Sequence, residues 1–149
     1  MKMRGHSAYT RTITHSTDDK RKILLMLYDG AVRFVRYARL GIEKNDPKLK
    51  GENISKVLAI LTELDCALNR EMTGDYITNL AALYRYMMNR LTVANLKNDN
   101  GALTEVESIL SELKEAFETA FEKVKGGAKR PETAGSMESS KKEGVSFAV

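Results

Sequence analysis

Residues 18–44 read DDKRKILLMLYDGAVRFVRYARLGIEK, and the spacing of their apolar side chains decides the fold. Ile23, Leu24, Leu27, Ala31, Phe34, Val35, Ala38 and Ile42 recur at intervals of three and four, the period of one helical face. Ser16 and Thr17 are suited to cap this helix, and Asp18 and Asp19 place negative charge at the positive end of its dipole. The helix is expected over about 18–44. Asn45-Asp46-Pro47 then stops it and starts the next, because proline fits a first helical position after an aspartate cap and not a helix interior.

The same period continues downstream. A second helix, about 47–72, carries Ile54, Val57, Leu58, Leu61, Leu64 and Leu68 on one face. Thr73-Gly74-Asp75 separates it from a third, with the stripe Ile77, Leu80, Tyr84, Met87, Leu91 and Ala94, ending near Asn98. The turn Asn98-Asp99-Asn100-Gly101 opens a fourth, about 102–125, with Leu103, Val106, Leu110, Leu113, Phe117, Phe121 and Val124 inward. No stretch alternates with period two. Short connections force sequential helices side by side and antiparallel, so the predicted fold is all-α: an antiparallel up-down-up-down four-helix bundle over residues 17–125. Residues 1–16 lack the period and read as a mobile N-terminal arm or cap. Residues 126–149, rich in Gly, Ser, Lys and Glu, read as a disordered tail.

Composition narrows the function. The chain has 149 residues, 42% hydrophobic and 30% charged, within the range of one globular domain. Its net charge of +4 sits at the ends. Three bases and no acid lie in residues 1–16, and four bases against three acids lie in 126–149. Seventeen of each remain in residues 17–125. A fold that neutralises phosphates clusters its excess bases on the folded surface, so no nucleic-acid partner is expected. No apolar run is long enough for membrane insertion, and no signal-peptide apolar segment follows the N-terminus. One cysteine, Cys66, suits a reducing compartment and reads as a buried or half-buried thiol, giving a cytoplasmic expectation.

No catalytic chemistry is legible. The two histidines, His6 and His15, precede the first helix, so the Glu-x-x-His pairs of bundle metal sites are missing. No phosphate loop or nucleophile elbow is present. The reading is a protein that is not an enzyme, with no metal and no cofactor.

The informative residues are apolar ones that a single core face does not need. At 100° per residue with Leu27 inward, Leu25, Val32 and Leu40 point near the opposite side and Met26 lies about a quarter turn off. With Leu80 inward in the third helix, Tyr86 and Val93 leave the stripe and Leu83 marks its margin. Ile60 and Ile109 are lateral in their helices. Such partial second faces fit grooves for another apolar segment, wide packing inside the bundle, or a homodimer seam. In the arm, Tyr9 and Ile13 are placed to fold back over a groove. The candidate partner-binding residues are therefore Tyr9, Ile13, Leu25, Met26, Val32, Ile60, Leu83, Tyr86 and Val93.

Several strings carry a family resemblance. Leu25-Met26-Leu27-Tyr28-Asp29-Gly30-Ala31, Asn79-Leu80 with Leu83-Tyr84 and Arg90-Leu91, Ala94-Asn95-Leu96-Lys97-Asn98-Asp99, and the leading Ala8-Tyr9 resemble the FliS family of flagellar export chaperones, in order from about Ala8 to Val124. Two features depart from the family pattern: Ser16-Thr17-Asp18-Asp19 replaces a Ser-Pro-Glu type helix start, and the tail beyond Gly126 is longer. The resemblance implies a cytoplasmic, ATP-independent chaperone that binds the C-terminal segment of flagellin and prevents premature polymerisation. It also implies delivery of that client to a component of the flagellar export gate, and an N-terminal segment able to cap the binding surface. A self-associating structural bundle, or a homodimer formed when client is absent, is the alternative.

Overall fold

The computed structural model describes the backbone of residues 2–68 and 75–127 and the side chains of residues 17–68 and 75–124. Four helices follow in order: α1 (Lys2–Glu43), α2 (Pro47–Cys66), α3 (Asp75–Lys97) and α4 (Asn100–Gly127). They form the predicted antiparallel bundle. α1 lies beside α2 and α4, α3 lies beside the same two, and among the described residues the diagonal pairs do not adjoin.

Two helix starts and ends differ from the sequence expectation. α1 begins at Lys2 rather than near Asp18, so the backbone of the N-terminal segment continues the helix. No proline interrupts residues 2–43, and extending a formed helix adds one hydrogen bond per residue fixed. α2 ends at Cys66, short of residue 72. The Ala67 N–H bonds to the Glu63 carbonyl, and the Leu68 N–H reaches the Asp65 carbonyl in a tighter i→i−3 bond that closes the last turn. The expected tail lies outside the described residues from 128 onward.

The two short joints share one chemistry, and both were legible in sequence. Asn45 and Asn98 each adopt φ of 52°, the left-handed conformation that asparagine tolerates better than most residues. The next N–H then reaches back to the helix, from Asp46 to Gly41 O at 2.8 Å and from Asp99 to Ala94 O at 3.2 Å. Each aspartate caps the following helix: Asp46 accepts from Leu49 N–H at 3.1 Å and Asp99 from Ala102 N–H at 3.1 Å. Lys50 ties the joints together, donating to Asn95 O and Asn98 Oδ1.

The core centres on Tyr28, Val35, Ile54, Val57, Leu61, Leu64, Tyr84, Met87, Leu91, Leu103, Val106 and Leu110. Burying each large apolar group contributes about 1.5–3 kcal/mol before the entropy of ordering it. α1 meets α2 closely at Gly41, where a Cβ would stand 2.5 Å from Lys50 N. Ion pairs seal α4 to its neighbours. Arg36 and Arg39 both reach Glu107 across α1–α4, Lys114 faces Asp29 at 3.6 Å, and Arg90 meets Glu105 across α3–α4.

The structure corrects four side-chain placements. Ile23 and Val124, read as inward, are exposed, and Val32, read as outward, is buried. Cys66 is exposed rather than buried or half-buried. The α1 errors share a cause: the inward direction of α1 lies between Leu24, Tyr28 and Val35, about 80° from Leu27 at 100° per residue. Leu27 and Phe34 are half-buried, Phe34 beside Lys56 of α2, while Leu25 shares a groove with Glu118 and Phe121 of α4.

Candidate binding surface

With the true inward direction set, a second stripe appears on α1. Ile23, Met26, Gly30, Arg33, Tyr37, Leu40 and Lys44 recur at alternating intervals of three and four, the a and d positions of a heptad. Ile23 is 55% exposed and Met26 70%, and Tyr37 and Leu40 are exposed as well. α2 walls this stripe on one side. Ile60 is half-buried there, with its Cδ1 3.7 Å from where a Cβ on Gly30 would sit. Half-buried Phe34 has the Arg33 guanidinium carbon 5.9 Å and the Lys56 ammonium 5.1 Å from its ring centroid. Each such contact contributes about 0.5–1 kcal/mol at an exposed site.

α3 carries a counterpart on another side of the bundle. Asn79, Ala82, Tyr86, Asn89, Val93 and Leu96 follow the same heptad intervals; Tyr86 is exposed, Val93 half-buried and Leu96 77% exposed. The Tyr86 hydroxyl donates to Glu105 at 2.5 Å. That bond raises the tyrosine pKa and lowers the carboxyl's, the Arg90 guanidinium adding to the second effect.

The predicted partner residues thus divide. Met26 and Ile60 belong to the α1–α2 side. Tyr86 and Val93 belong to the α3 stripe, with half-buried Leu83 on the helix flank toward α4. Leu25 lines a shallow groove between α1 and α4 with Arg21, Glu118 and Phe121, where Arg21 stands 5.2 Å from the Phe121 ring centroid. Val32 is removed from the surface at 7% exposure, because it belongs to the hydrophobic core. The side chains of Tyr9 and Ile13 lie outside the described residues. The structure does not bring the set into one groove. Sequence reasoning missed Ile23, Tyr37 and Leu96; counting heptad intervals from residue 23 would have found the first two.

Among the described residues no three His, Cys, Asp or Glu side chains gather as a metal site, and no helix is long and apolar enough to cross a membrane. Fold and surface together define a helical-bundle protein whose distinguishing outer features are two apolar heptad stripes. Residues 3–124 match the family described as flagellar protein FliS, and the chain belongs to that family. It is 39% identical over 101 residues to the flagellar secretion chaperone FliS of Bacillus subtilis, covering 68% of this chain and 74% of that one. It is 39% identical over 117 residues to the chaperone of the same name from Salmonella typhimurium (76% and 87%). The Escherichia coli protein of that name is 32% identical over 122 residues (79% and 90%). These relatives are named as chaperones, a non-enzymatic family.

Proposed function

We propose that this protein is a cytoplasmic flagellar secretion chaperone. It binds the C-terminal segment of flagellin, keeps that segment from polymerising, and hands it to the flagellar type III export apparatus through a component of the export gate. The observation that carries this reading is the family match across residues 3–124, which spans the whole bundle. The exposed stripes on α1 and α3 support it. A segment that assembles with its own kind is silenced once its apolar face is covered, and covering needs no bond-making chemistry.

Client binding removes apolar surface from water at about 25 cal/mol per Å² before the cost of ordering the client, so a long wrapped interface outperforms a single pocket. Two stripes on separate helices suit such wrapping. On this reading Tyr9 and Ile13 cover part of this surface when client is absent, which requires the continuous α1 helix of Lys2–Glu43 to break ahead of Asp18. The test is a calorimetric titration of a flagellin C-terminal peptide into the full chain at several temperatures. Saturable binding with a negative heat-capacity change is expected; no heat at micromolar protein overturns the reading. Light scattering of the free protein checks the alternative, a client-free homodimer.

A further inference from the structure

The shallow groove between α1 and α4 has an apolar floor and an acidic rim. Half-buried Leu25 and Phe121 form the floor, with the Arg21 guanidinium 5.2 Å from the Phe121 ring centroid. The rim carries four acids, Asp18, Glu115, Glu118 and Glu122, against two bases, Arg21 and Lys22. One of those acids, Glu118, is shared with Lys114 at 3.6 Å. The groove encloses about 750 Å³, the size of a cleft that buries most of a small ligand. Along α4 it runs from Glu115 to Glu122, about 11 Å at 1.5 Å per residue. α4 ends just beyond it, at Gly127, and the chain goes on for 22 residues.

We propose that the α1–α4 groove is the docking site of this chain's own C-terminal segment, residues 141–149, which read Lys-Lys-Glu-Gly-Val-Ser-Phe-Ala-Val. Beyond α4 the large apolar side chains are Met137, alone among polar neighbours, and Val145, Phe147 and Val149, which alternate with Ser146 and Ala148. In an extended segment such alternate side chains share one face about 7 Å apart, so two of them match the length of the groove. Three apolar residues cannot build a core of their own, but they need none where Leu25 and Phe121 already supply a floor. Charge agrees with this occupant: two bases and one acid in residues 141–149 meet a rim with two more acids than bases. Reach agrees as well. The thirteen residues 128–140 extend to at most about 45 Å, while Thr119 in the middle of the groove lies about 12 Å back along α4 from Gly127. A tether of this length gives roughly millimolar effective concentration, which favours the attached segment over that of a second copy at micromolar protein. The inference goes beyond the chaperone reading and does not depend on it.

The experiment uses the full chain with Phe147→Trp, which introduces a single tryptophan into a sequence that has none. Acrylamide quenching of its fluorescence is compared with that of a free peptide of residues 128–149 carrying the same substitution. Docking is expected to lower the quenching constant at least about twofold and to shift the emission to the blue, since a tether of this length keeps the segment docked most of the time. Two charge reversals are then added in the full chain: Lys141→Glu/Lys142→Glu in the segment, and Glu118→Lys/Glu122→Lys at exposed positions of the rim. Each alone should raise quenching toward the peptide value, the effect shrinking as salt rises, and the two together should restore protection. Quenching in the full chain equal to that in the peptide overturns the inference. Protection that neither reversal changes places the segment elsewhere on the bundle and overturns the site. Protection that grows with protein concentration assigns the groove to the segment of a second copy and overturns the proposed occupant. No flagellin is present in these measurements, so their failure leaves the chaperone reading intact, and a failed flagellin titration leaves this inference intact.

Discussion

The hydroxyls of Tyr28 on α1 and Tyr84 on α3 meet at 2.5 Å in the centre of the bundle, joining two helices that do not adjoin. Both rings are fully buried, and Tyr28 also stacks at a tilt on Phe117 of α4, ring centroids 5.5 Å apart. The pair fixes the rotation of α1. Its stripe then faces outward because the tyrosine is locked inward.

Removing one hydroxyl leaves the other buried without this partner. Tyr28→Phe and Tyr84→Phe should each destabilise by about 1–3 kcal/mol, whereas the double substitution replaces both partners with apolar groups of the same shape. The double variant is expected to be clearly more stable than the sum of the singles predicts. Urea denaturation of the four proteins gives this coupling, and additive effects would show that the hydroxyls act independently.

The same pair sets an alkaline limit. Burial raises the Tyr84 pKa to about 12, the negative charge on Asp65 helping and the Tyr28 bond opposing; burial raises Tyr28 further still, with Tyr84 adding to it. In the unfolded chain both ionise near pH 10. The folded state holds its protons above that point, so this contribution to stability is complete below pH 10 and is lost as pH rises through 10 toward 12 and beyond. Each group steepens the loss by up to about 1.4 kcal/mol per pH unit. The unmodified protein should lose denaturation midpoint more steeply between pH 10 and 12 than the Tyr28→Phe/Tyr84→Phe double variant.

Helix number, both asparagine joints and most core residues were legible because each depends on local chemistry that repeats along the chain. The facing of α1 was not. Leu24, Tyr28 and Val35 form its inner row, with Leu27 and Phe34 on one flank and Leu25 and Val32 on the other, so these apolar residues cover about half the helix circumference. Periodicity over so wide an arc has no unique centre, and choosing Leu27 put Val32 outside and Ile23 inside. Tyr28, the residue that sets the rotation, stood in the family-like string without a role because its partner is 56 residues away. Cys66 is exposed because α2 ends with it, a boundary set by the Ala67 and Leu68 turn bonds rather than by hydrophobic period.

Two glycines of α1 should respond oppositely to alanine. At Gly41 the new Cβ meets Lys50 N at 2.5 Å and Lys50 Cα at 2.8 Å, backbone atoms that move only with α2 itself. Gly41→Ala is expected to cost about 1–3 kcal/mol. At Gly30 the nearest atom is Ile60 Cδ1 at 3.7 Å, an ordinary contact, so Gly30→Ala should gain up to about 1 kcal/mol from helix propensity. Thermal melting separates the two.

Glu107 gives a limit at acid pH. Desolvation raises its pKa, but hydrogen bonds from Arg36 and Arg39 outweigh it and hold the group below the ordinary glutamate value. A depressed carboxyl contributes stability above its unfolded pKa and loses it as pH falls through the folded one. Stability should therefore fall more steeply below pH 4.5 in the unmodified protein than in Glu107→Gln. Parallel denaturation curves from pH 6 to 3 would show that the arginine pair contributes nothing there.

Val32 and Met26 provide the sharpest contrast, since both were read as partner-binding residues and the structure buries the first and exposes the second. Val32 is buried in the hydrophobic core, so Val32→Asp puts a carboxylate among apolar neighbours, and a collapse of thermal stability is expected. Met26 touches mostly solvent, so Met26→Asp should leave the melting temperature and helical circular dichroism nearly unchanged. If the α1 stripe carries the client, Met26→Asp loses client affinity at constant stability, by about tenfold or more as an apolar contact is replaced by a charge. Melting that falls with Met26→Asp would mean that an internal contact covers this side chain. Unchanged melting with unchanged flagellin binding would move the client to the Tyr86–Leu96 stripe of α3.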